Sequence, residues 1–353
     1  MATIRERKWR SGLGLLTHDQ DRNRRATVMT PSVSAIIPAY NAVRTVAGAV
    51  ESCLSQTYPP IEILVVDDGS TDRTAEVVAG FGAPVRLERK PNGGPASARN
   101  HAARLARGDW LGFLDADDRW LPGKLEKQLT LATSDDVAVI QTLVSGSKDR
   151  VPAEVTFSQL WETNLVGTSS VLTRRSVFER LGGFNEDPQL ISSEDYHLWL
   201  RVIAAGGRIL TYPEVLTEWT REAGGLSSNL SAFGKAQLRT VALIGKEFDL
   251  PMESIRRKRL QIYDGIGRDA LHARDVPLAR SKLAKAFRVK PSLRRAFLLV
   301  VSLLPVSIIN LRRRWGQRRL GNAANCKTVE VKHDEGWVGE TIRRQCRDRI
   351  MQK

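Results

Sequence analysis

The amino-acid sequence predicts an α/β protein: a mostly parallel sheet with helices on both faces. Two observations carry this. Short continuous apolar runs alternate with helix-length segments between residues 33 and 114, the pattern of buried parallel strands joined by crossover helices. Each run also stops at Pro, Gly or Asp punctuation. The 353 residues, 42% hydrophobic and 26% charged, suit one large domain with an appendage, or two domains, and exclude wholesale disorder.

In chain order, Val33–Ile37 reads as a buried strand ended by Pro38, and residues 42–56 have helical spacing. Ile61–Val66 is a second buried strand, ended by Asp67, Asp68, Gly69 and Ser70. Thr71 or Asp72 can cap a helix running to about Ala79. Val85–Glu88 is a third strand. Residues 95–107 form a helix stopped by Gly108, and Trp110–Leu114 is a fourth strand ended by Asp115, Ala116, Asp117 and Asp118.

Ligands of such sheets bind beyond the carboxyl ends of the strands. Three of these ends, at Pro38–Asn41, Asp67–Asp68 and Asp115–Asp117, should converge on one cleft. The first strand is followed by no GxGxxG and the chain has no GxxxxGK[ST], so dinucleotide and P-loop chemistry are not indicated. Carboxylates take their place. Asp115 and Asp117, spaced i and i+2, can point the same way. Two such charges repel unless a hard cation with oxygen ligands compensates them, although an Asp-rich strand end is also an ordinary solvated turn.

In combination these segments resemble the family 2 glycosyltransferases of GT-A fold over roughly residues 32–230. The resemblance rests on Pro38-Ala39-Tyr40-Asn41, Asp67-Asp68-Gly69-Ser70-Thr71-Asp72, Ala98-Arg99-Asn100 and Asp115-Ala116-Asp117-Asp118, in that order. It implies a Rossmann-like sheet and an enzyme that moves a sugar from a nucleotide-diphospho-sugar, UDP-linked by expectation. It further implies that Pro38, Ala39 and Tyr40 line the nucleotide pocket, that Asp67 and Asp68 meet base and ribose, and that Arg99 lies near the nucleotide. Asp115 and Ala116 belong to the same pocket. Asp117, with Asp115, would hold a divalent cation, Mn2+ or Mg2+.

Farther on, Gly182-Gly183-Phe184 resembles the segment bordering donor and acceptor, with Trp199 on the same side, and Glu194-Asp195 resembles the acidic pair whose Asp is the catalytic base. The chemistry asks for such a base, because an acceptor hydroxyl must lose its proton as it attacks the anomeric carbon. One base and one in-line displacement imply inversion. An acidic pair opening a helix is also what the helix dipole favours, and Leu198, Trp199, Val202 and Ile203 form a helix face just after it. The sequence departs from the family near Arg221, where Glu222 stands in place of the common histidine. Arg221 is the substitute contact for the diphosphate.

The charge is segregated. Of 54 Lys+Arg and 39 Asp+Glu, 25 and 9 lie beyond residue 250, so the net charge of +15 belongs to the last third. This suggests an anionic membrane surface there. No nucleic-acid partner is expected, because the body is net acidic and the basic run lacks interleaved aromatics. Residues 1–31 read as a basic, disordered leader without a signal peptide's apolar core, 32–235 as the transferase domain, 236–320 as a helical extension and 321–353 as a polar tail. Residues 260–290 read as two short helices, of which 273–291 resembles a tetratricopeptide-type hairpin. Ala296–Leu311 is an uncharged run flanked by arginines. As a helix it would be ~24 Å long, short of the ~30 Å hydrocarbon core, and it reads as a membrane-associating segment lying in or dipping into the leaflet, with a helix buried on the body and a true span as the alternatives.

Cys53, Cys326 and Cys346 are too few and scattered for a disulfide framework. The expected setting is cytoplasmic, peripheral on the inner face of the plasma membrane, with a saccharide or polyprenyl-linked saccharide as acceptor. The alternative is a catalytically degenerate relative kept as an assembly subunit of a polysaccharide machinery.

Overall fold

The structure is a computed structural model that describes residues 31–147, 150–220 and 229–304. The chain forms two compact units divided between Ile262 and Tyr263.

The four expected strands are present: β1 (Val33–Ala39), β2 (Glu62–Asp67), β3 (Val85–Arg89) and β4 (Trp110–Phe113). They pair in parallel in the order β3-β2-β1-β4. Between them run α1 (Val46–Leu54), α2 (Thr74–Ala79) and α3 (Gly94–Leu105). Alternate residues of β1 and β2, such as Ile37 and Val65, pack with Val50 and Cys53 of α1 and Val78 of α2. The intervening residues face the other side, where α3 lies on β1 and β2.

Pro38 does not end the first strand. It sits within β1, in register with Val66. Pairing with β4 stops at Ile36, so the side on which Pro38 lacks an N–H has no strand to serve. Most of the paired residues in the sheet are in parallel pairings, as expected, but the sheet is not parallel throughout. Five further strands, β5 (Arg119–Trp120), β6 (Val137–Val144), β7 (Glu154–Val155), β8 (Val171–Arg174) and β9 (Arg208–Glu218), extend it in the order β4-β8-β6-β9-β5, with β7 on β9. All their pairings except β6 with β9 are antiparallel, so the sheet as a whole is mixed. Three of these strands have only two to four residues, too short for a periodicity to be legible.

The amino ends of the strands are closed by Glu62. This buried carboxylate accepts from Ser34 Oγ (2.7 Å), the Arg107 N–H (2.7 Å) and Arg86 Nη1 (3.0 Å). Burial opposes its ionisation, but those donors together with Arg107's charge outweigh it and hold the carboxyl below its usual range. Around the rest of the first unit run α4 (Lys124–Leu129), α5 (Phe157–Glu162), α6 (Arg175–Arg180), α7 (Glu194–Ala204) and α8 (Leu230–Glu247).

The helices of 260–290 are longer than expected. α9 (Met252–Ala273) has 22 residues and crosses the division between the units. In the second unit α10 (Val276–Val289) follows, capped by Asp275, whose side chain accepts from the Leu278 N–H. The turn is made by Arg274 at φ +68°, and Gly267 lets Leu283 approach closely. α11 (Leu293–Val301) begins before the uncharged run, at the cap Ser292, and has nine residues. Its helical bonds close at Ser302, with tighter turns at Leu303 and Leu304. Among the described residues no helix is long and apolar enough to cross a membrane. The leader up to residue 30, the tail 321–353 and the end of the 296–311 run lie outside the described residues.

A Cβ at Gly108 would lie 2.5 Å from the Ser34 backbone nitrogen, which cannot yield without shifting β1. Gly108→Ala should therefore lower stability by about 1–3 kcal/mol, read as a drop in the denaturant midpoint at unchanged slope.

Candidate active site

The strand ends do converge. After β1, Tyr40 is 53% exposed at the mouth, Pro38 is half-buried and Ala39 buried. Asn41 takes a left-handed turn at φ +50°. Its N–H donates to Ser70 Oγ and its Oδ1 accepts from the Thr71 N–H, each at 2.9 Å, so the loops after β1 and β2 are sewn together. Asp67, fully buried, accepts from the Ser70 N–H and from Arg89 Nε. Asp68 accepts from Lys90 Nζ (2.6 Å), the Gly93 N–H (3.0 Å) and the Gly94 N–H (2.7 Å). Its oxygens are thus turned onto the start of α3.

Arg99, in α3, joins the two halves of the site. It is 5% exposed, yet one nitrogen, Nη2, donates to Asp115 Oδ1 at the end of β4 (2.6 Å), and Nη1 donates to Glu194 Oε1 at the start of α7 (2.9 Å). Burial alone would lower the guanidinium's pKa, but the two carboxylates outweigh it and raise it. Phe184 lies under the same guanidinium, 5.4 Å from ring centre to carbon. Next to Arg99, Asn100 clamps the Phe184 backbone twice: Nδ2 donates to the carbonyl (2.8 Å) and Oδ1 accepts from the N–H (2.9 Å).

That clamp sets the wall at Gly182-Gly183-Phe184. Gly182 and Gly183 both have φ near +75°, and a Cβ on Gly183 would lie 2.5 Å from Asn100 Oδ1. Trp199 is fully buried, edge-on to Phe184 at 6.0 Å, so it supports the wall from behind. An open cleft of about 530 Å³ lies beside it, lined by Gly183, Asn185, His197, Arg201, Lys246 and Glu247. Burial, helped by Arg201, lowers the pKa of His197 to about 4, and this imidazole stays neutral.

Asp195 keeps an open edge. Its carboxylate is fixed by the Tyr196 N–H at 2.6 Å and by Thr168 Oγ1, which donates at 3.0 Å. Surrounding protein, and then the Glu194 charge, push its pKa up to about 6, against the pull of the Tyr196 N–H, Arg99 and Thr168.

Three participants were not foreseen. Thr168 and Ser169 belong to a one-turn helix at Thr168–Ser170, and Ser169 Oγ accepts from the Asp115 N–H and donates to Asp118 Oδ2. Asp118 is 2% exposed, and its other oxygen accepts from the Thr220 N–H. Burial, with Asp115 and Asp117 adding, pushes its pKa up to about 7. The fourth acidic position of the strand end was the available signal for Asp118. Nothing in the local pattern marked Thr168 and Ser169. Arg221 lies outside the described residues.

For a divalent cation the donor types fit: Asp115 and Asp117 offer carboxylate oxygens, both side chains partly open to solvent, and Arg99 occupies only one Asp115 oxygen. No group of three His, Cys, Asp or Glu is placed to hold a metal among the described residues. A cation here would draw its remaining ligands from a diphosphate and water, as Mg2+ commonly does.

Fold and site define a transferase of the GT-A class. The model for glycosyl transferase family 2 matches residues 34–183. The Escherichia coli UDP-Glc:alpha-D-GlcNAc-diphosphoundecaprenol beta-1,3-glucosyltransferase WfaP is 33% identical over 206 residues, which make up 56% of this chain and 80% of WfaP. The Bacillus subtilis putative teichuronic acid biosynthesis glycosyltransferase TuaG is 31% identical over 214 residues, 56% of this chain and 82% of TuaG. Among solved structures, a Pyrobaculum calidifontis mannosyltransferase in complex with GDP-Man and Mn2+ shares the fold. Its TM-score is 0.58 at 23% identity, over 84% of this chain and 85% of that one. The chain belongs to glycosyl transferase family 2.

Arg99→Met would leave the buried Glu194 carboxylate without its cation. Removing one partner of a buried pair costs about 3–5 kcal/mol. The variant should melt well below the wild type, with Arg99→Lys intermediate because an ammonium cannot serve both carboxylates at once. Equal melting temperatures for all three would contradict the bridging role.

Proposed function

We propose that the enzyme transfers glucose or a related hexose from a UDP-sugar to a hydroxyl of a polyprenyl-diphosphate-linked saccharide, inverting the anomeric centre. Support comes from the likeness to WfaP and from one observation above the others: Asp195, held by Thr168 and Tyr196 and raised to about 6, stands next to the carboxylate that Arg99 ties to the donor side. At neutral pH it is ionised yet basic enough to take a proton. The acceptor O–H gives its proton to Asp195 while its oxygen bonds to the anomeric carbon. The bond from that carbon to the diphosphate oxygen breaks, and the electron pair leaves with the nucleotide. Glu194 positions Arg99, and Arg99 in turn sets Asp115. Asp68, Lys90 and the Gly93–Gly94 amides shape the nucleotide side, with Tyr40 at its rim. A divalent cation bound at Asp117 and Asp115 supplies charge neutralisation for the leaving diphosphate.

The reading places the protein at the inner face of the plasma membrane, where a lipid-linked acceptor meets the nucleotide-sugar pool. The presence of Asp115, Asp117 and Asp195 together weighs against a degenerate assembly subunit.

Calorimetry with UDP, GDP, CDP and dTDP, each with Mn2+ and again with EDTA, should show metal-dependent binding of UDP that Asp117→Ala removes. A folded protein that binds none of the four overturns the reading. Asp195→Asn should lower turnover by about 10²–10⁴-fold and leave UDP affinity intact. In the wild type, kcat/KM should fall tenfold per pH unit below about 6, because the base works deprotonated and its raised pKa brings protonation into that range. A flat profile from pH 5 to 8 would remove Asp195 from the role of base.

A further inference from the structure

In the second unit the helix α11 turns its apolar stripe outward. Leu293, Phe297 and Val300, spaced four and three apart, are 92%, 58% and 58% exposed, and Leu303 and Leu304 continue the patch. An amphipathic helix of a soluble domain normally does the reverse. Polar staples on the opposite face fix the rotation. Arg295 donates to Asp264 through Nε (2.9 Å) and Nη2 (2.6 Å), and also to the Lys290 carbonyl. Arg280 Nη2 donates to the carbonyl of buried Ser302 at 3.1 Å. With these bonds made, the stripe cannot roll inward.

The charge carried by α10 and α11 has one sign. Residues 276–304 contain seven Lys or Arg and no Asp or Glu. Of these, Lys285, Arg288, Lys290 and Arg294 are exposed, and Val289, also exposed, adds apolar surface among them.

We propose that this face of α11 is the element that seats the enzyme on an anionic membrane, with the stripe entering the acyl boundary and the cations meeting lipid phosphates. The proposal deepens the reading of a lipid-linked acceptor. Apolar stripe and cationic collar together are what an interfacial helix needs, and each cation close to an anionic bilayer multiplies binding by roughly fivefold. A second copy of the chain is a poor occupant, because docking two such faces would bring like charges together. A nucleic acid would use the cations and leave Leu293 and Phe297 in water.

The test is flotation of the full chain with phosphatidylcholine vesicles, with and without phosphatidylglycerol and without donor or acceptor, so that it is read independently of sugar transfer. The wild type should float with the anionic vesicles, and more weakly at high salt. The double variant Phe297→Glu, Val300→Glu should bind at least about tenfold more weakly with an unchanged melting temperature, since both side chains are exposed. Lys290→Glu with Arg294→Glu should remove most of the salt-dependent part. The proposal is overturned if the wild type stays in the lipid-free fraction, or if the double variant floats like the wild type. It is also overturned if the double variant changes only the sedimentation of the lipid-free protein, which would make the stripe a protein–protein face.

Discussion

Arg99 is the group on which the arrangement of this site depends. A guanidinium buried this deeply loses its hydration, and Asp115 and Glu194, which flank it, offset that loss. Those two carboxylates come from distant parts of the chain: one ends the parallel half of the sheet and the other opens α7. The ion bridge therefore sets the distance between the end of β4 and the start of α7, which carries Asp195. Asn100 repeats the device one residue later with neutral hydrogen bonds to Phe184. A single turn of α3 thus holds both a strand end and the glycine-rich wall.

The two ends of the sheet use carboxylates differently. At the amino ends Glu62 is buried and saturated with donors from Ser34, Arg86 and Arg107, and it closes the structure. At the carboxyl ends Asp115, Asp117 and Asp195 keep open edges. The pKa of the buried Asp118 is raised by burial first and by the Asp115 and Asp117 charges second. Carboxylates gathered at one strand end, Asp115, Asp117 and Asp118, suit a site that receives a cation with a charged ligand.

The parallel half of the fold was legible because its strands are continuous apolar runs with punctuated ends, and motif resemblance singled out Arg99, Asp115 and Glu194-Asp195 without indicating that Arg99 bonds to both Asp115 and Glu194. The antiparallel half was not, because β5, β7 and β8 are too short to carry a period. Pro38 misled as a strand terminator because the vacancy beside it is set by where β4 leaves the sheet, a tertiary fact. Thr168 and Ser169 were invisible for the same reason: their partners, Asp195, Asp115 and Asp118, are 27 to 54 residues away. The uncharged run at 296–311 marked an apolar stretch, whereas Ser292 capping and the Arg295–Asp264 pair decide where α11 starts and which way it faces.

The central claim is a direct displacement with one carboxylate base and no enzyme-bound sugar. The most direct measurement is the anomeric configuration of the product, read by proton NMR after transfer from an α-linked UDP-hexose to a synthetic diphospho-lipid-linked N-acetylglucosamine. The account predicts a β-linkage formed from the first turnover. An α-linkage would mean retention, and would contradict Asp195 acting as a lone base.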